Sequence, residues 1–122
     1  MVHPLGQYNC PFCELIASDD PKLTEVKPIG VYHLEPLNPV TPGHRIFIHY
    51  DHFARPEEYN EVTGLLFGTA ATWGGHMGED YNLIVNAGKN ASQTVPHVHV
   101  HYVPRREGDE LHLPWTGQVK DA

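Results

Sequence analysis

Three segments of the chain either alternate hydrophobic and polar residues or run apolar over a short stretch, as β-strands do. They are HRIFIHY at 44–50, YNLIVNAG at 81–88 and HVHVHYV at 97–103. A further strand is predicted within EVKPIGVYHLEPL at 25–37, interrupted by Pro28 and ended near Pro36.

A helical period occurs in EEYNEVTGLLFGTAATWGG, where Val62, Leu65 and Leu66 follow helical spacing. This spacing predicts a helix over 57–75, because acidic residues suit a helix N-terminus and a glycine pair ends it. The stretch 104–122 is predicted to be irregular. Since strands outnumber helices and no β-α-β rhythm occurs, the pattern predicts an α+β domain with an antiparallel sheet.

Composition limits the number of domains and the classes of partner. The 122 residues suffice for one domain over 1–122, with 1–9 and 116–122 expected as flexible tails. The net charge of −7 repels a nucleic-acid backbone, so no nucleic-acid partner is expected. No run approaches the ~20 apolar residues of a membrane span. The first residues have no cationic start followed by an apolar run, so a cytoplasmic location is expected.

The two cysteines, Cys10 and Cys13, form a C-x-x-C pair. In a cytoplasmic protein this spacing suits metal binding or redox chemistry better than a lasting disulfide. Redox chemistry is disfavoured because the helical stretch that follows, ELIAS, is short. Half of a zinc site is the favoured interpretation, since two thiolates need two more ligands and the chain has ten histidines. A pair of cysteines with neither a metal-binding nor a redox role remains an alternative.

The stretch VPHVHVHYVPR places His97, His99 and His101 at alternate positions. In a strand all three share one face. At ~3.3 Å per residue the outer two lie about 13 Å apart, too far for one zinc ion with Zn–N bonds of ~2.1 Å. We therefore expect three separate roles. Two alternatives remain. The histidines are the polar positions of an amphipathic strand with no functional role, or the three together form a site that stores metal ions.

The middle histidine, His99, is the best placed for catalysis. An imidazole is near neutral at pH 7, so its free nitrogen can be a nucleophile without losing a proton first. Phosphorus is a suitable electrophile, because attack gives a phosphohistidine-type intermediate that water can cleave. The preceding loop offers hydroxyl, amide and backbone donors at Ser92, Gln93 and Thr94, which can form an anion-binding nest.

Several stretches together resemble the histidine-triad (HIT) superfamily. The similar segments are NAGKNASQTVPHVHVHYVPR at 86–105, NPVTPGHRIFIHYDHF at 38–53, CPFCELI at 10–16 and PRREGDELHLPW at 104–115. CPFCELI is similar to the zinc-binding start of the bacterial members. The resemblance covers nearly the whole chain. It implies an antiparallel sheet of about five strands with one main helix and a short N-terminal helix, and it implies a homodimer.

The resemblance also implies roles for individual residues. His99 matches the nucleophile that attacks the α-phosphate and becomes transiently nucleotidylated. His101 and Thr94 match residues that contact the phosphate, and His44 matches a histidine that positions the triad. The positions implied to lie beside the substrate or line the base pocket are Asn86, Ser92, Gln93, Phe12 and Leu15.

A structural zinc site is implied as well, with its four ligands at Cys10, Cys13, His52 and His97. Four protein ligands leave no position for water, so the zinc has no catalytic part and no catalytic metal is required. The chain departs from the family at Pro36, where an acidic residue or asparagine usually binds the ribose. It also has His-Tyr-Asp at 49–51, where proline and basic residues are common.

The expected function is that of a hydrolase or transferase acting at the α-phosphate of nucleoside monophosphate derivatives. The expected substrates are small nucleotides, either phosphoramidates or dinucleoside polyphosphates, and the expected intermediate is a nucleotidyl-histidine. The alternative is a non-catalytic, zinc-stabilised nucleotide- or partner-binding module. Pro36 and the missing basic residues favour that alternative.

Overall fold

The structure is a computed structural model that describes residues 9–115. Its α-helices and strands are α1 (Pro11–Ala17), β1 (Thr24–Val26), β2 (Val31–Leu34), β3 (Arg45–His49), α2 (Asn60–Met77), β4 (Tyr81–Val85) and β5 (His99–Pro104). The strands form one antiparallel sheet in the order β1-β2-β3-β5-β4. The predicted α+β class, with one main helix and a short N-terminal helix, is confirmed. The expected tails lie outside the described residues, apart from Asn9.

The two central strands, β3 and β5, direct alternate residues to opposite faces of the sheet. Phe47 and its cross-strand partner Val100 are buried in the core beneath α2. Ile46 and Ile48 point to the other face and pack in a second apolar cluster with residues of α1. Because Ile48 pairs with His99 and Ile46 pairs with His101, both histidines lie on the α1 face. Within residues 9–115, no helix is long and apolar enough to cross a membrane.

Three predicted strands have different bounds in the structure, and the one predicted over 81–88 ends at Val85. The segment 25–37 contains two antiparallel strands, β1 and β2, because the chain turns back over 27–30. The strand expected from His97 begins at His99. Proline at 96 cannot donate a ladder hydrogen bond. The His97 N–H instead donates to the carbonyl of Val95 at 2.8 Å, so His97 precedes the strand in a bend.

The helix predicted over 57–75 is displaced toward the C-terminus. Residues 56–58 form a separate 3-10 turn, and the non-helical backbone of Tyr59 (φ −152°, ψ 79°) divides that turn from α2. The glycine pair at 74–75 does not end α2, which continues to Met77 and ends at Gly78 in the left-handed region, at φ +67°. Gly74 has a packing role, because its missing side chain leaves room for the Tyr81 ring of β4.

Replacing Gly74 by alanine is expected to destabilise the fold by about 1–3 kcal/mol, because the new Cβ would overlap the Tyr81 ring. Gly75→Ala is the matched control. A Cβ there meets nothing within 4 Å, so alanine is expected to stabilise the helix by ~0.5–1 kcal/mol. Urea denaturation of both variants measures the difference. Equal midpoints would show that Tyr81 does not pack against Gly74.

Candidate functional site

The N-terminus of α1 brings the two cysteines together. Cys10 is the N-cap residue, proline follows it at the first helical position, and Cys13 lies in the first turn. Residues three apart on a helical turn are neighbours, so both thiols point to one place. Both are buried there against Ile46 and Ile48 of β3.

Two histidines from distant parts of the chain complete this cluster. His52 follows β3 and His97 precedes β5. The Nδ1 atom of His97 lies 3.5 Å from Cys10 Sγ, 3.4 Å from Cys13 Sγ and 3.1 Å from His52 Nδ1. The ligand atoms of all four residues lie within 4.8 Å of one another, and all four residues are buried.

The orientation of His97 leaves one ring nitrogen for a metal ion. Its Nε2–H donates to the carbonyl oxygen of His49 at 2.8 Å. The lone pair therefore lies on Nδ1, the atom that faces the cysteines. Burial lowers the pKa of His97 to about 4, so the imidazole is neutral and able to ligate at neutral pH.

The cluster Cys10, Cys13, His52 and His97 fits a tetrahedral metal ion in donor set and in size. Bonds of ~2.3 Å to sulfur and ~2.1 Å to nitrogen separate tetrahedral ligand atoms by about 3.4–3.8 Å. Three sulfur–nitrogen separations of 3.4–3.5 Å match that range, and the nitrogen–nitrogen separation of 3.1 Å is slightly tighter. The remaining pairs lie within 4.8 Å, so closing the tetrahedron needs a shift of about 1 Å at most. Two thiolates balance the charge of a divalent ion. All four positions are filled by protein, so such an ion is structural.

His99 lies beside the metal cluster but presents its ring elsewhere. Its Nδ1–H donates to the carbonyl oxygen of His97 at 2.8 Å. The lone pair is therefore on Nε2, and His99 lines a cavity of about 610 Å³ on the α1 face. The Phe12 ring meets His99 edge-on at 5.1 Å. Burial lowers the pKa of His99, which favours the neutral ring.

A chain of hydrogen bonds determines which nitrogen of His101 carries its proton. The backbone N–H of Val40 donates to His44 Nδ1 at 3.1 Å. The proton of His44 is therefore on Nε2, which lies 3.0 Å from His101 Nδ1 and donates to it. His101 thus keeps its own proton on Nε2. Burial, with smaller effects of His99 and His44, lowers the pKa of His101 to about 4, so its ring is also neutral.

The turn that carries His44 is held by the segment after β5. Arg106 donates through Nη1 to Thr41 Oγ1 at 2.9 Å and through Nη2 to the carbonyl of Pro42 at 3.1 Å. The His44 N–H donates to the carbonyl of Thr41 at 3.1 Å. These contacts set the position of His44, and through it the orientation of His101.

The cavity on the α1 face gathers several of the predicted substrate residues. Its lining includes His44, His99, His101, Thr94, Phe12 and Leu15. Aliphatic side chains of β2 and β3, Leu34 and Ile46, form part of its wall. The cavity lining also includes Pro36, Glu35 and Asn38. Polar side chains therefore lie on both sides of Pro36, the position at which the family resemblance implies ribose binding.

The loop before the histidine triad does not form the expected nest of free backbone N–H donors. The N–H groups of Ser92 and Gln93 donate within the loop, to the carbonyls of Lys89 and Gly88. The Gln93 amide also holds the loop, because it accepts from the Gly88 N–H and donates to the carbonyl of Ala54. The backbone donors near Ser92 are therefore already satisfied.

Thr94 is the loop residue that faces the cavity. It is exposed and lines the cavity. Its N–H has no acceptor among the described residues, so it can donate to a bound anion. Asn86, directly after β4, is half-buried and is not part of the cavity lining, nor are Ser92 and Gln93. Substrate contact by these three residues stays a prediction.

Some of the groups that shape the site could not be found in the sequence. The Val40 N–H and the carbonyl oxygens of His49 and His97 set the ring orientations, and backbone groups carry no side-chain signature. Arg106 has no local sequence signal for its role either, because it bonds Thr41, 65 positions earlier.

Comparisons with known proteins agree with this geometry. A family model described as the HIT domain matches residues 27–108. An uncharacterized HIT-like protein of Methanocaldococcus jannaschii is 32% identical over 118 residues, covering 93% of this chain and 91% of that protein. An adenosine 5'-monophosphoramidase of Saccharomyces cerevisiae is 30% identical over 117 residues, covering 92% of this chain and 73% of that enzyme.

A solved structure is similar in fold as well. It is a zinc-bound histidine triad family protein from Mycobacterium smegmatis, with a TM-score of 0.66 and 30% identity. The match covers 85% of this chain and 80% of that chain.

Proposed function

Because the chain belongs to the HIT domain family, we propose that it is a nucleotide hydrolase or nucleotidyltransferase. It acts at the α-phosphate of nucleoside monophosphate derivatives, either phosphoramidates or dinucleoside polyphosphates. The observation that carries the proposal is the orientation of His99, whose Nδ1–H is held by a carbonyl while its Nε2 is free in a cavity. The similarity to an adenosine 5'-monophosphoramidase makes adenosine phosphoramidates the first substrates to test.

In the first step, the Nε2 lone pair of His99 attacks the α-phosphorus. A P–N bond forms to the ring while the bond from phosphorus to the leaving group breaks, and a leaving amine departs with a proton taken from solvent. The carbonyl of His97 accepts from Nδ1–H and so stabilises the positive charge that attack places on the ring. The Nε2–H of His101 and the Thr94 N–H donate to the phosphate oxygens.

In the second step, water adds to the phosphorus of the nucleotidyl-histidine. The bond from phosphorus to His99 Nε2 breaks, the nucleoside monophosphate leaves, and the proton of the water is released to solvent. In a transferase, phosphate takes the place of water. No metal takes part in either step.

We further propose that the metal is zinc, held by Cys10, Cys13, His52 and His97. It fixes the N-terminus of α1 to the start of β5. This attachment matters for the cavity, because α1 contributes Phe12 and Leu15 to its lining.

The test is a panel of adenosine and guanosine phosphoramidates, dinucleoside polyphosphates and nucleotide sugars. Chromatography measures the release of AMP or GMP, and calorimetry measures binding of the same compounds. Catalytic release supports the enzyme. Binding without release would favour the non-catalytic module. Pro36 supports that alternative, because it lies in the cavity wall and its side chain has no donor or acceptor for ribose.

Replacing His44 by phenylalanine is expected to lower kcat by about 10²-fold with little change in KM, because His101 loses the donor that sets its tautomer. His44→Asn keeps an N–H donor and is expected to recover part of the loss. Steady-state kinetics on the best substrate of the panel measures both variants. A rise in KM with unchanged kcat would show that His44 binds substrate and does not orient His101.

We also propose a homodimer. Strand β4 has a strand neighbour on one side only within the described sheet, so its outer edge presents unpaired backbone groups that a second copy can bond. Sedimentation analysis is expected to give twice the chain mass of 13.7 kDa. A mass of one chain at micromolar concentration would contradict the proposal.

A further inference from the structure

A second cavity lies on the opposite face of the sheet from the triad. It has a volume of about 690 Å³ and is bounded by α2 on one side and by β1, β2 and β3 on the other. The cavity is open along α2, because the helix presents small side chains or none there, at Gly64, Gly68 and Thr72. The volume lies in the ~300–1,000 Å³ range of small-molecule sites.

One buried polar side chain, His33, faces this cavity. It is 3% exposed and stacks on Phe47, with ring centres 4.8 Å apart. Its Nδ1 accepts from Arg45 Nε at 2.6 Å, so its proton is on Nε2. No described residue accepts from that Nε2–H. Asp51 Oδ1 is the described buried side-chain atom left without a partner. The Nε2 of His33 therefore keeps contact with solvent and can donate to a ligand atom in the cavity.

The other groups around the cavity select the kind of ligand. Its walls are aromatic and aliphatic, with the Trp73 ring 4.7 Å from the His33 ring. The hydroxyl of Thr72 donates back to its own helix, so it offers no free proton. No carboxylate lines the cavity, and the guanidinium of Arg45 lies over Trp73 at 5.5 Å. The surroundings therefore favour an anion, although the chain carries a net charge of −7.

We propose that this cavity binds a small planar aromatic carboxylate, with its rings against Trp73 and Leu65 and its carboxylate accepting from His33 Nε2. Arg45 does not contact the ligand in this arrangement. It sets the tautomer of His33 and contributes positive potential. Burial and the neighbouring Arg45 lower the pKa of His33 to about 4, so the ring presents this single Nε2–H donor throughout the neutral range.

Two probes that differ only in charge test the ligand class, namely 2-naphthoate and 2-naphthamide. Binding is followed by the fluorescence of Trp73 in a Trp115→Phe background, which leaves one tryptophan. We expect saturable quenching by 2-naphthoate and at least about fivefold weaker binding of 2-naphthamide. Equal affinities, or no saturation by either probe, would overturn the proposal.

Two glycine variants test the location. Gly68→Leu places an apolar side chain at the cavity, where its Cβ meets nothing within 4 Å. Gly75→Leu is the matched control, since Gly75 has the same free space but does not line the cavity. We expect Gly68→Leu to weaken 2-naphthoate binding at least about tenfold and Gly75→Leu to leave it unchanged. Equal effects of the two variants would place the probe elsewhere.

A third variant, His33→Phe, keeps the ring and removes the donor. We expect about tenfold weaker binding of 2-naphthoate, the size of one hydrogen bond, and a smaller loss for 2-naphthamide, whose neutral carbonyl oxygen is the weaker acceptor. An unchanged 2-naphthoate affinity would overturn the role of His33. A changed oligomeric mass in Gly68→Leu would show that a second copy of the chain occupies the cavity, which also overturns the proposal.

Discussion

His99→Asn is expected to lower the rate of nucleotide release by at least about 10³-fold, because it removes the nucleophile of the proposed reaction. Asparagine is close to histidine in size and keeps a donor for the His97 carbonyl. The loss is therefore expected in kcat, with binding largely kept. The measurement is single-turnover release of AMP from an adenosine phosphoramidate by the wild-type protein and the variant.

A covalent intermediate gives a second measurement of the same prediction. Rapid acid quench followed by intact-mass spectrometry is expected to detect a nucleotidyl adduct on the wild-type chain and none on His99→Asn. His112→Asn is the matched control, since His112 is exposed and outside both cavities. If His99→Asn keeps its rate within a factor of ten of the wild type, water attacks the phosphorus directly and the proposed intermediate is wrong.

Much of the site could be predicted because its chemistry depends on side chains with distinctive patterns. The C-x-x-C pair predicted half of a metal site, and the alternating histidines predicted separate roles for His97 and His99. His52 entered only through the resemblance to a family, since nothing in its local sequence marks a ligand. The structure brings it to Cys13 across 39 positions, with 3.4 Å between Nδ1 and Sγ.

The unpredicted features depend on backbone groups and on contacts between distant residues. The anion nest was expected from loop composition, yet the 3-10 turn at 89–91 satisfies the N–H groups near Ser92 within the loop itself. The glycine pair suggested a helix end, whereas Gly74 packs against Tyr81. His33 received no functional role from the sequence, because its tautomer depends on Arg45 of the neighbouring strand.

Removing the metal is expected to destabilise the protein about as much as a severe core substitution. An ion bound only by the folded state adds about 4 kcal/mol at a free concentration of 1,000 times its Kd, and the unfolded chain lacks the preformed site. We therefore expect chelation to lower Tm by about 10–20 °C. Differential scanning calorimetry with and without chelator measures the shift.

The same site predicts which variants keep the metal. Elemental analysis is expected to give one zinc ion per chain in the wild type and in His99→Asn, because the Nδ1 of His99 is bonded to a carbonyl and its Nε2 faces the cavity. Cys13→Ser is expected to lose the ion and the chelator effect on Tm together, because one of its four ligands is gone. More than one tightly held ion per chain, or loss of metal in His99→Asn, would instead indicate that the histidine row stores metal. The separation of the zinc and phosphate roles between His97 and His99 would then be wrong, because it requires the two rings to point to different sites.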